Sequence, residues 1–125
     1  MEQNPSLVIS REDYQKISTL LSVAQTDIAD LLEEELGRAE LVEAAEIPKD
    51  TVSMNDKVSF VDLDSGKEQE VTLVYPLDAD INGNKVSILA PVGAALIGLK
   101  VGQIIHWPLG SDKVKRIKVI AVQRG

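Results

Sequence analysis

The 125-residue sequence predicts an α+β protein in which a short antiparallel helical hairpin precedes an antiparallel β-sheet domain with one short helix. Two observations support this fold class. Apolar residues recur at helical spacing up to about residue 43, whereas they alternate with polar residues from residue 58 onwards. Pro48 lies between the two patterns. We therefore expect the hairpin in residues 1–47 and the sheet domain in residues 48–125.

The first helix is predicted to begin after Ser10. Serine is a preferred N-cap residue, and two acidic residues, Glu12 and Asp13, follow it in the first turn. The apolar positions of this helix fall at helical spacing and are Tyr14, Ile17, Leu20 and Leu21. The pattern stops at residues 22–25, which should end the helix.

The second helix is predicted from about residue 27 to residue 43, with Thr26 or Asp27 as its N-cap. Its apolar stripe consists of Ile28, Leu31, Leu32, Ala39 and Val42. A break this short between two amphipathic helices predicts an antiparallel hairpin, or short coiled coil, whose tip lies in residues 25–30.

Five strands and one short helix are predicted after a linker in residues 47–55. The strands are expected at about residues 58–63, 68–75, 86–89, 104–107 and 114–122. Asn82-Gly83 is typical of a hairpin turn and should precede the third strand, and a turn in residues 110–112 should join the last two. Pro91 and Gly98 favour the start and the C-terminal cap of a helix between them.

The composition narrows the class of function. A formal net charge of -7 argues against direct nucleic-acid binding, because such proteins neutralise phosphates with basic residues. The lack of cysteine excludes disulfides, thiolate catalysis and cysteine-ligated zinc. No stretch approaches the roughly 18 apolar residues of a membrane span, and the N-terminus has no secretory signal. We expect a cytoplasmic protein whose partner is another protein.

Two motifs suggest chemistry but lack the residues to perform it. Residues 78–83 match the opening of an EF-hand loop, yet the twelfth position is Leu89 instead of a glutamate, so we interpret the segment as a polar turn. His106 is the only histidine, and no motif places a nucleophile or a carboxylate beside it. We therefore predict no catalytic residue, no metal site and no cofactor.

Asp27 and Asp30 lie at i and i+3 at the start of the second helix, so they share one face near the hairpin tip. Two interpretations stay open. The pair could help to hold a divalent ion such as Mg²⁺, which takes oxygen ligands. Alternatively, the two carboxylates complement the positive end of the helix dipole, and this simpler interpretation is the one we adopt.

Residues 52–58, 72–76 and 90–102, continued by Ile105-His106-Trp107, resemble the C-terminal domain of the Rnk family. Members of this family are bacterial proteins named as regulators of nucleoside diphosphate kinase. The same segments look more distantly like the C-terminal domain of the transcript-cleavage factors GreA and GreB, where a serine stands at the position of Ala90. The resemblance implies an N-terminal coiled coil followed by an FKBP-like domain.

The resemblance also implies a partner, bacterial RNA polymerase, bound at the rim of its secondary channel. By family position, the start of the short helix would dock on the polymerase, and the hairpin tip would face into the channel. The docking residues are Ala90, Pro91 and Val92. The channel-facing residues are Gln25, Thr26, Asp27 and Asp30.

The sequence departs from the cleavage factors at the hairpin, which is shorter and lacks their acidic tip motif. We therefore expect no stimulation of transcript cleavage. The effect on nucleoside diphosphate kinase that the family name implies would run through transcription or through direct binding, and both stay open. A prolyl isomerase of this fold would need several aromatic residues around its pocket. The sheet domain has only Phe60, Tyr75 and Trp107, so we expect a non-enzymatic regulator.

Overall fold

The computed structural model describes residues 7–24, 26–108 and 114–124. The helices and strands in these residues are β1 (Val8–Ser10), α1 (Arg11–Leu21), α2 (Asp27–Leu36), β2 (Glu40–Val42), β3 (Lys57–Asp62), β4 (Glu68–Val74), β5 (Lys85–Ser87), α3 (Pro91–Leu96), β6 (Ile104–Pro108) and β7 (Val114–Gln123). Two 3₁₀ turns lie at Ala44–Glu46 and Pro76–Asp78. The predicted α+β class is confirmed, with the helical hairpin first and a mainly antiparallel sheet after it.

Both helices of the hairpin begin at a side-chain cap. Ser10 Oγ accepts a hydrogen bond from the Asp13 amide at 3.1 Å. Thr26 Oγ1 accepts one from the Ala29 amide at 3.0 Å, so Thr26 rather than Asp27 is the N-cap of α2. The buried side chains of the two helices are Ile17, Leu21, Ala29, Leu32 and Leu36. Ile17, Leu21 and Leu32 belong to the predicted apolar stripes, whereas the buried Ala29 does not, and the predicted Ala39 and Val42 lie beyond the end of α2.

The second helix is shorter than predicted, since α2 ends at Leu36 and the expected extension to residue 43 is wrong. Gly37 follows α2, and glycine is about 1 kcal/mol less favourable than alanine inside a helix. The next residues form β2 instead, which pairs in parallel with β1 in the register Val8↔Glu40 to Ser10↔Val42. A distant partner strand therefore overrides the local helical pattern.

The main sheet has the strand order β5-β4-β3-β7-β6. β3 pairs antiparallel with β4 and β7, and β7 pairs antiparallel with β6. β4 and β5 run parallel, so the predicted hairpin at Asn82-Gly83 does not join them. The chain turns away from β4 at Pro76, before it reaches Asn82-Gly83. The predicted turn therefore joins only Asp80 and Lys85, which form an isolated bridge. The turn predicted in residues 110–112 lies outside the described residues, and the FKBP-like assignment stays a prediction.

One apolar core runs through the hairpin and the sheet domain. Its fully buried members include Ile9, Ile17, Leu32, Leu73, Leu96, Trp107 and Ile117. Gly98 shows how closely the two parts approach: its φ is +79°, and a Cβ there would lie 2.7 Å from Leu7 Cβ. The Val8 amide also donates to the Gly98 carbonyl at 3.2 Å. The hairpin base is thus fixed to the sheet domain, although the boundary at residue 47 stays a prediction.

None of the helices in the described ranges has the length and apolar character that a membrane crossing requires.

Candidate functional site

The hairpin tip presents two carboxylates to solvent. Thr26, Asp27 and Asp30 are all exposed, and the Thr26 hydroxyl is occupied by its own helix cap. Neither Asp27 nor Asp30 has a hydrogen-bond or ion-pair partner among residues 7–24, 26–108 and 114–124, while Gln25 lies outside these ranges. The tip can therefore offer negative charge to a basic surface on another molecule.

The face of α2 that leads away from the tip extends this negative charge. The helix has the sequence DIADLLEEEL, and Glu33 and Glu34 are exposed like the tip carboxylates. Glu35 is paired with Arg38 beyond the helix end. No group of three or more side chains in the described residues could hold a metal ion. The tip pair alone could at most complete the coordination of an ion that another molecule supplies.

The predicted docking residues lie at the start of α3, on a different element from the tip. Ala90 is the N-cap in an extended conformation, and Pro91 occupies the first helical turn without needing an amide donor. All three residues, Ala90, Pro91 and Val92, are partly exposed, whereas residues 93–96 are buried. Only the first turn of α3 therefore reaches the surface.

The start of α3 is held rigidly against β5. The Ala90 amide donates to the Ser87 carbonyl at 3.0 Å, and the Ala94 amide donates to the Ala90 carbonyl at 2.9 Å. A Cβ on Gly93 would lie only 2.1 Å from the Ser87 carbonyl oxygen, so glycine is required where the helix crosses this backbone. These contacts fix the position of the α3 start relative to β5.

A polar contact that the sequence did not reveal joins α1 to the sheet domain. Asp13 Oδ1 accepts a hydrogen bond from the Tyr75 hydroxyl at 3.1 Å, and Asp13 Oδ2 accepts one from the Met54 amide at 3.4 Å. Burial and the neighbouring Asp13 carboxylate raise the pKa of Tyr75 well above its ordinary value. Lys16 Nζ lies 5.8 Å from the centre of the Tyr75 ring. Asp13 thus fixes the base of the hairpin.

A second polar contact fixes the linker before β3. Arg124 Nη1 lies 2.7 Å from Oδ2 of Asp56, whose side chain is buried, and Arg124 Nη2 donates to the Pro48 carbonyl at 2.8 Å. The same Asp56 oxygen accepts from the Ser53 amide at 2.8 Å. Beside this contact lies a cleft of about 380 Å³, lined in part by Lys49 and by the start of α1. The C-terminal end of the chain therefore holds the linker on which the hairpin is mounted.

The two motifs that suggested chemistry lie at a turn after β4 and on β6. Asp80 Oδ1 accepts a hydrogen bond from the Asn82 amide at 3.0 Å, and this bond lies within residues 78–83, the turn region that the sequence predicts. His106 is partly exposed on β6, and its neighbour Trp107 is buried, which matches the predicted alternation of the two side chains.

Family models match both parts of this architecture. The model of the C-terminal domain of the transcription elongation factors GreA and GreB matches residues 47–124. The model of the Rnk N-terminus matches residues 5–42, which contain the hairpin. These matches, on a chain with this fold, define a Gre-like regulator.

Individual relatives make the assignment more specific. The regulator of nucleoside diphosphate kinase of Escherichia coli is 38% identical over 122 residues, which are 95% of this chain and 90% of that protein. The chain belongs to the Rnk family, as the sequence resemblance predicted.

The GreA of Clostridium botulinum (strain Alaska E43 / Type E3) is 38% identical over 94 residues, which are 75% of this chain but 58% of that protein. The structure of a prokaryotic transcription elongation factor GreA/GreB from Nitrosomonas europaea has a TM-score of 0.78 at 43% identity. That match covers 96% of this chain and 99% of the other. None of these comparisons tests the tip or docking residues, so those assignments stay predictions.

Proposed function

We propose that this Rnk-family protein is a cytoplasmic, non-enzymatic regulator that binds bacterial RNA polymerase near its secondary channel, without stimulating transcript cleavage. One observation carries the proposal: a hairpin whose tip carboxylates, Asp27 and Asp30, have no partner among the described residues shares an apolar core with a Gre-type domain. A rigid acidic projection suits a basic channel, because both its direction and its charge are set before binding.

The length of the hairpin supports the absence of cleavage stimulation. α1 has 11 residues and α2 has 10, so each helix is about 15 Å long at roughly 1.5 Å per residue. Stimulating cleavage would require the tip carboxylates to reach the polymerase active site. A projection this short would stop in the outer part of a channel that longer coiled coils penetrate. The proposal is therefore a modulator that occupies the channel entrance and competes with the longer factors.

The docking surface of the proposal is the first turn of α3. Ala90, Pro91 and Val92 are partly exposed on a backbone fixed by Ser87, which favours contact without reorganisation. The hairpin that carries the tip and the sheet domain that carries this turn share one apolar core. One binding event would then engage both surfaces.

The name of the Escherichia coli relative supports a link to nucleoside diphosphate kinase. We infer that the link runs through transcription. Direct binding to the kinase is the second candidate, since that relative matches 95% of the chain. A prolyl isomerase lacks structural support: Phe60 and Trp107 are buried in the core, and the Tyr75 hydroxyl is bound to Asp13.

The test is binding of the full chain to purified bacterial core RNA polymerase, in competition with GreA. Displacement in both directions is the expected result, and transcript-cleavage assays should then stay at their basal rate. Absence of saturable binding at micromolar concentrations would contradict the polymerase proposal. Binding to purified nucleoside diphosphate kinase in the same assay would favour the second candidate.

A docking variant sharpens this test. Pro91→Glu places a charge on the proposed contact while keeping a residue that suits a helix N-terminus, so the fold should persist. We expect it to weaken polymerase binding about tenfold or more. The matched control is Val101→Glu, which puts the same charge on another partly exposed aliphatic position. Equal binding by both variants would count against the docking assignment.

A further inference from the structure

Asn82-Gly83, the predicted turn before β5, also brings two reactive groups together. Of the four asparagines in the chain, only Asn82 precedes a glycine. Asparagine is a thermally labile residue. Its lability arises because the nitrogen of the next peptide bond can attack the carbon of the side-chain amide. Glycine has no Cβ that would shield this nitrogen. The chain can therefore modify itself at this turn if the fold leaves both groups free.

The side chain of Asn82 is accessible and unrestrained. Asn82 and Gly83 are both exposed. The Asn82 side-chain amide has no hydrogen-bond partner in the part of the chain that the structure describes. The residue is held through its main chain instead, since its backbone amide donates to Asp80 Oδ1 at 3.0 Å. The side chain can therefore rotate towards the Gly83 nitrogen without losing a contact.

The Gly83 amide is not needed to close the turn. It donates to the Asp80 carbonyl at 3.2 Å, at the long end of the usual range for such bonds. The same carbonyl accepts a shorter bond of 2.9 Å from the Lys85 amide, and the Asp80 amide donates to the Lys85 carbonyl at 3.0 Å. Asp80 and Lys85 therefore hold the turn, and the Gly83 nitrogen can leave its hydrogen bond without opening it.

Two other exposed asparagines lack this combination. Asn84 lies in the same turn, but the nitrogen that follows it belongs to Lys85 and donates the 2.9 Å bond that closes the turn. Asn55 is followed by Asp56, a residue that is only 1% exposed. Neither asparagine has an unshielded, accessible nitrogen after it. The chain thus contains its own controls for the effect of the glycine.

We propose that Asn82 is a modification site at which the chain deamidates spontaneously, with water as the only reagent. The Gly83 nitrogen bonds to Cγ of Asn82 while the Cγ–Nδ2 bond breaks, and the side-chain nitrogen leaves as ammonia with the amide proton of Gly83. Water then opens the cyclic imide. Cleavage between Cγ and the ring nitrogen gives aspartate, whereas cleavage at the main-chain carbonyl carbon gives isoaspartate. No atom is oxidised or reduced in either step.

The modification acts on β5, because the turn leads directly into that strand. Isoaspartate carries the main chain through the former side chain and so lengthens the turn by one methylene group. The Thr72 amide donates to the Asn84 carbonyl at 2.9 Å, which is the contact of β4 nearest to the modified bond. We expect the longer turn to weaken this hydrogen bond first. Ser87 at the end of β5 supports the start of α3 through the Ala90 amide, so the disturbance lies close to that helix.

The test incubates the folded full chain at physiological temperature and mildly alkaline pH, and follows tryptic peptides by mass spectrometry. Samples taken at the start correct for conversion during digestion. Residues 68–85 form one tryptic peptide that contains both Asn82 and Asn84, so fragmentation compares two exposed asparagines of the same turn. We expect conversion at Asn82 to be severalfold faster than at Asn84 or Asn55, and isoaspartate to exceed aspartate among the products.

Gly83→Ala is the matched variant, because it shields the nitrogen and leaves Asn82 in place. The added Cβ would lie 3.3 Å from Asp80 Oδ2, the end of an exposed side chain that can move, so the turn should persist. We expect conversion at Asn82 to be severalfold slower in this variant. Three results would overturn the proposal: conversion at Asn82 no faster than at Asn84, aspartate as the only product, or an unchanged rate in Gly83→Ala.

Amide spectra of the ¹⁵N-labelled chain before and after conversion test the effect on β5. The Thr72 and Asn84 signals should shift, whereas those of Ser10 and Thr26, at the two helix caps of the hairpin, should not. Unchanged Thr72 and Asn84 signals in the converted chain would overturn the proposed action on β5. None of these measurements uses RNA polymerase, so their outcome is independent of the function proposed above.

Discussion

The base and the tip of the helical hairpin use their acidic side chains in different ways. At the base, Asp13 accepts hydrogen bonds from the Tyr75 hydroxyl and from a backbone amide 41 residues away. At the tip, Asp27 and Asp30 have no partner among the described residues. The fold therefore uses charge at the base to fix the direction of the hairpin and leaves charge at the tip free. Substitutions at the two ends should separate stability from binding.

The largest expected effect is at Gly98, a residue of the sheet domain that contacts the segment leading into the hairpin. Gly98→Ala combines a positive φ with a Cβ that would lie 2.7 Å from Leu7 Cβ. Gly66 has a similar φ of +76° but nothing within 4 Å of the added Cβ. Gly66→Ala should lower the free energy of unfolding by about 1 kcal/mol. Gly98→Ala should lower it by about 1–3 kcal/mol more, because the contact with Leu7 is overpacked.

Urea denaturation of both variants measures this difference directly. Since the conformational strain is common to the two, the excess loss in Gly98→Ala reports the close packing against Leu7 and Ile9. Equal losses in the two variants would mean that the hairpin base yields to the added methyl group. The rigid mounting of the hairpin would then be an incorrect interpretation.

The next effect is at Arg124, which lies 2.7 Å from the buried carboxylate of Asp56. Arg124→Ala should lower the free energy of unfolding by about 2 kcal/mol, because it removes the cation from a desolvated carboxylate. We place the loss below the range for fully buried pairs, because the arginine itself is partly exposed. Lys118→Ala, at an exposed lysine on β7, is the control and should change the stability by less than about 0.5 kcal/mol.

A smaller effect with a distinct pH dependence is expected at Tyr75. Tyr75→Phe removes the hydrogen bond to Asp13 and should lower the free energy of unfolding by about 1 kcal/mol at pH 7. The pKa of Tyr75 is raised in the folded chain, so its neutral form is favoured there. This stabilisation is complete below pH of about 10, where the tyrosine of the unfolded chain is still neutral. It is lost as the pH rises above that value.

Denaturation of the unmodified chain and of Tyr75→Phe at pH 7 and at higher pH tests this prediction. The difference between the two chains should shrink as the pH rises above about 10. Tyr14→Phe serves as the control, because the Tyr14 hydroxyl has no partner among the described residues. A difference that stays constant with pH would contradict the hydrogen bond to Asp13 as the source of the stability, because the contribution of the hydroxyl would then not depend on its ionisation.

Local patterns in the sequence predicted the parts of this fold that local interactions determine. Ser10 and Thr26 cap their helices within three residues, and the sheet domain follows the alternation of its strands. The predicted end of α2 was wrong because β2, which follows the helix, pairs with β1 near the N-terminus. A strand of three residues has no periodicity by which the sequence could reveal it. The parallel pairing of β4 and β5 was missed because Asn82-Gly83 signals only the tight turn that it forms.

The contacts that fix the base of the hairpin could not be predicted from the sequence, because their partners are far apart along the chain. Asp13 and Tyr75 are 62 residues apart, and Asp56 and Arg124 are 68 residues apart. An acidic residue in the first turn of a helix is already explained by the helix dipole. Nothing in the sequence therefore indicated that Asp13 has a second role.

The smallest effect on stability is expected at the tip, where the main effect should be on binding. The Asp27→Asn, Asp30→Asn double variant removes two charges that only complement the dipole of α2. We expect it to lower the free energy of unfolding by only about 0.3 kcal/mol per residue at low salt, since both carboxylates are exposed, and by less at high salt. Affinity for core RNA polymerase should fall about tenfold at low salt if these carboxylates face a basic channel.

The Glu33→Gln, Glu34→Gln double variant is the matched control, since it removes the same charge from exposed positions further along α2. A larger loss of affinity in the tip variant than in this control would locate the contact at the tip. Equal losses would assign binding to the acidic face of α2 as a whole, because only the summed charge would then matter. Unchanged affinity in both variants would mean that the tip carboxylates serve only the helix dipole. It would contradict the assignment of binding to the tip.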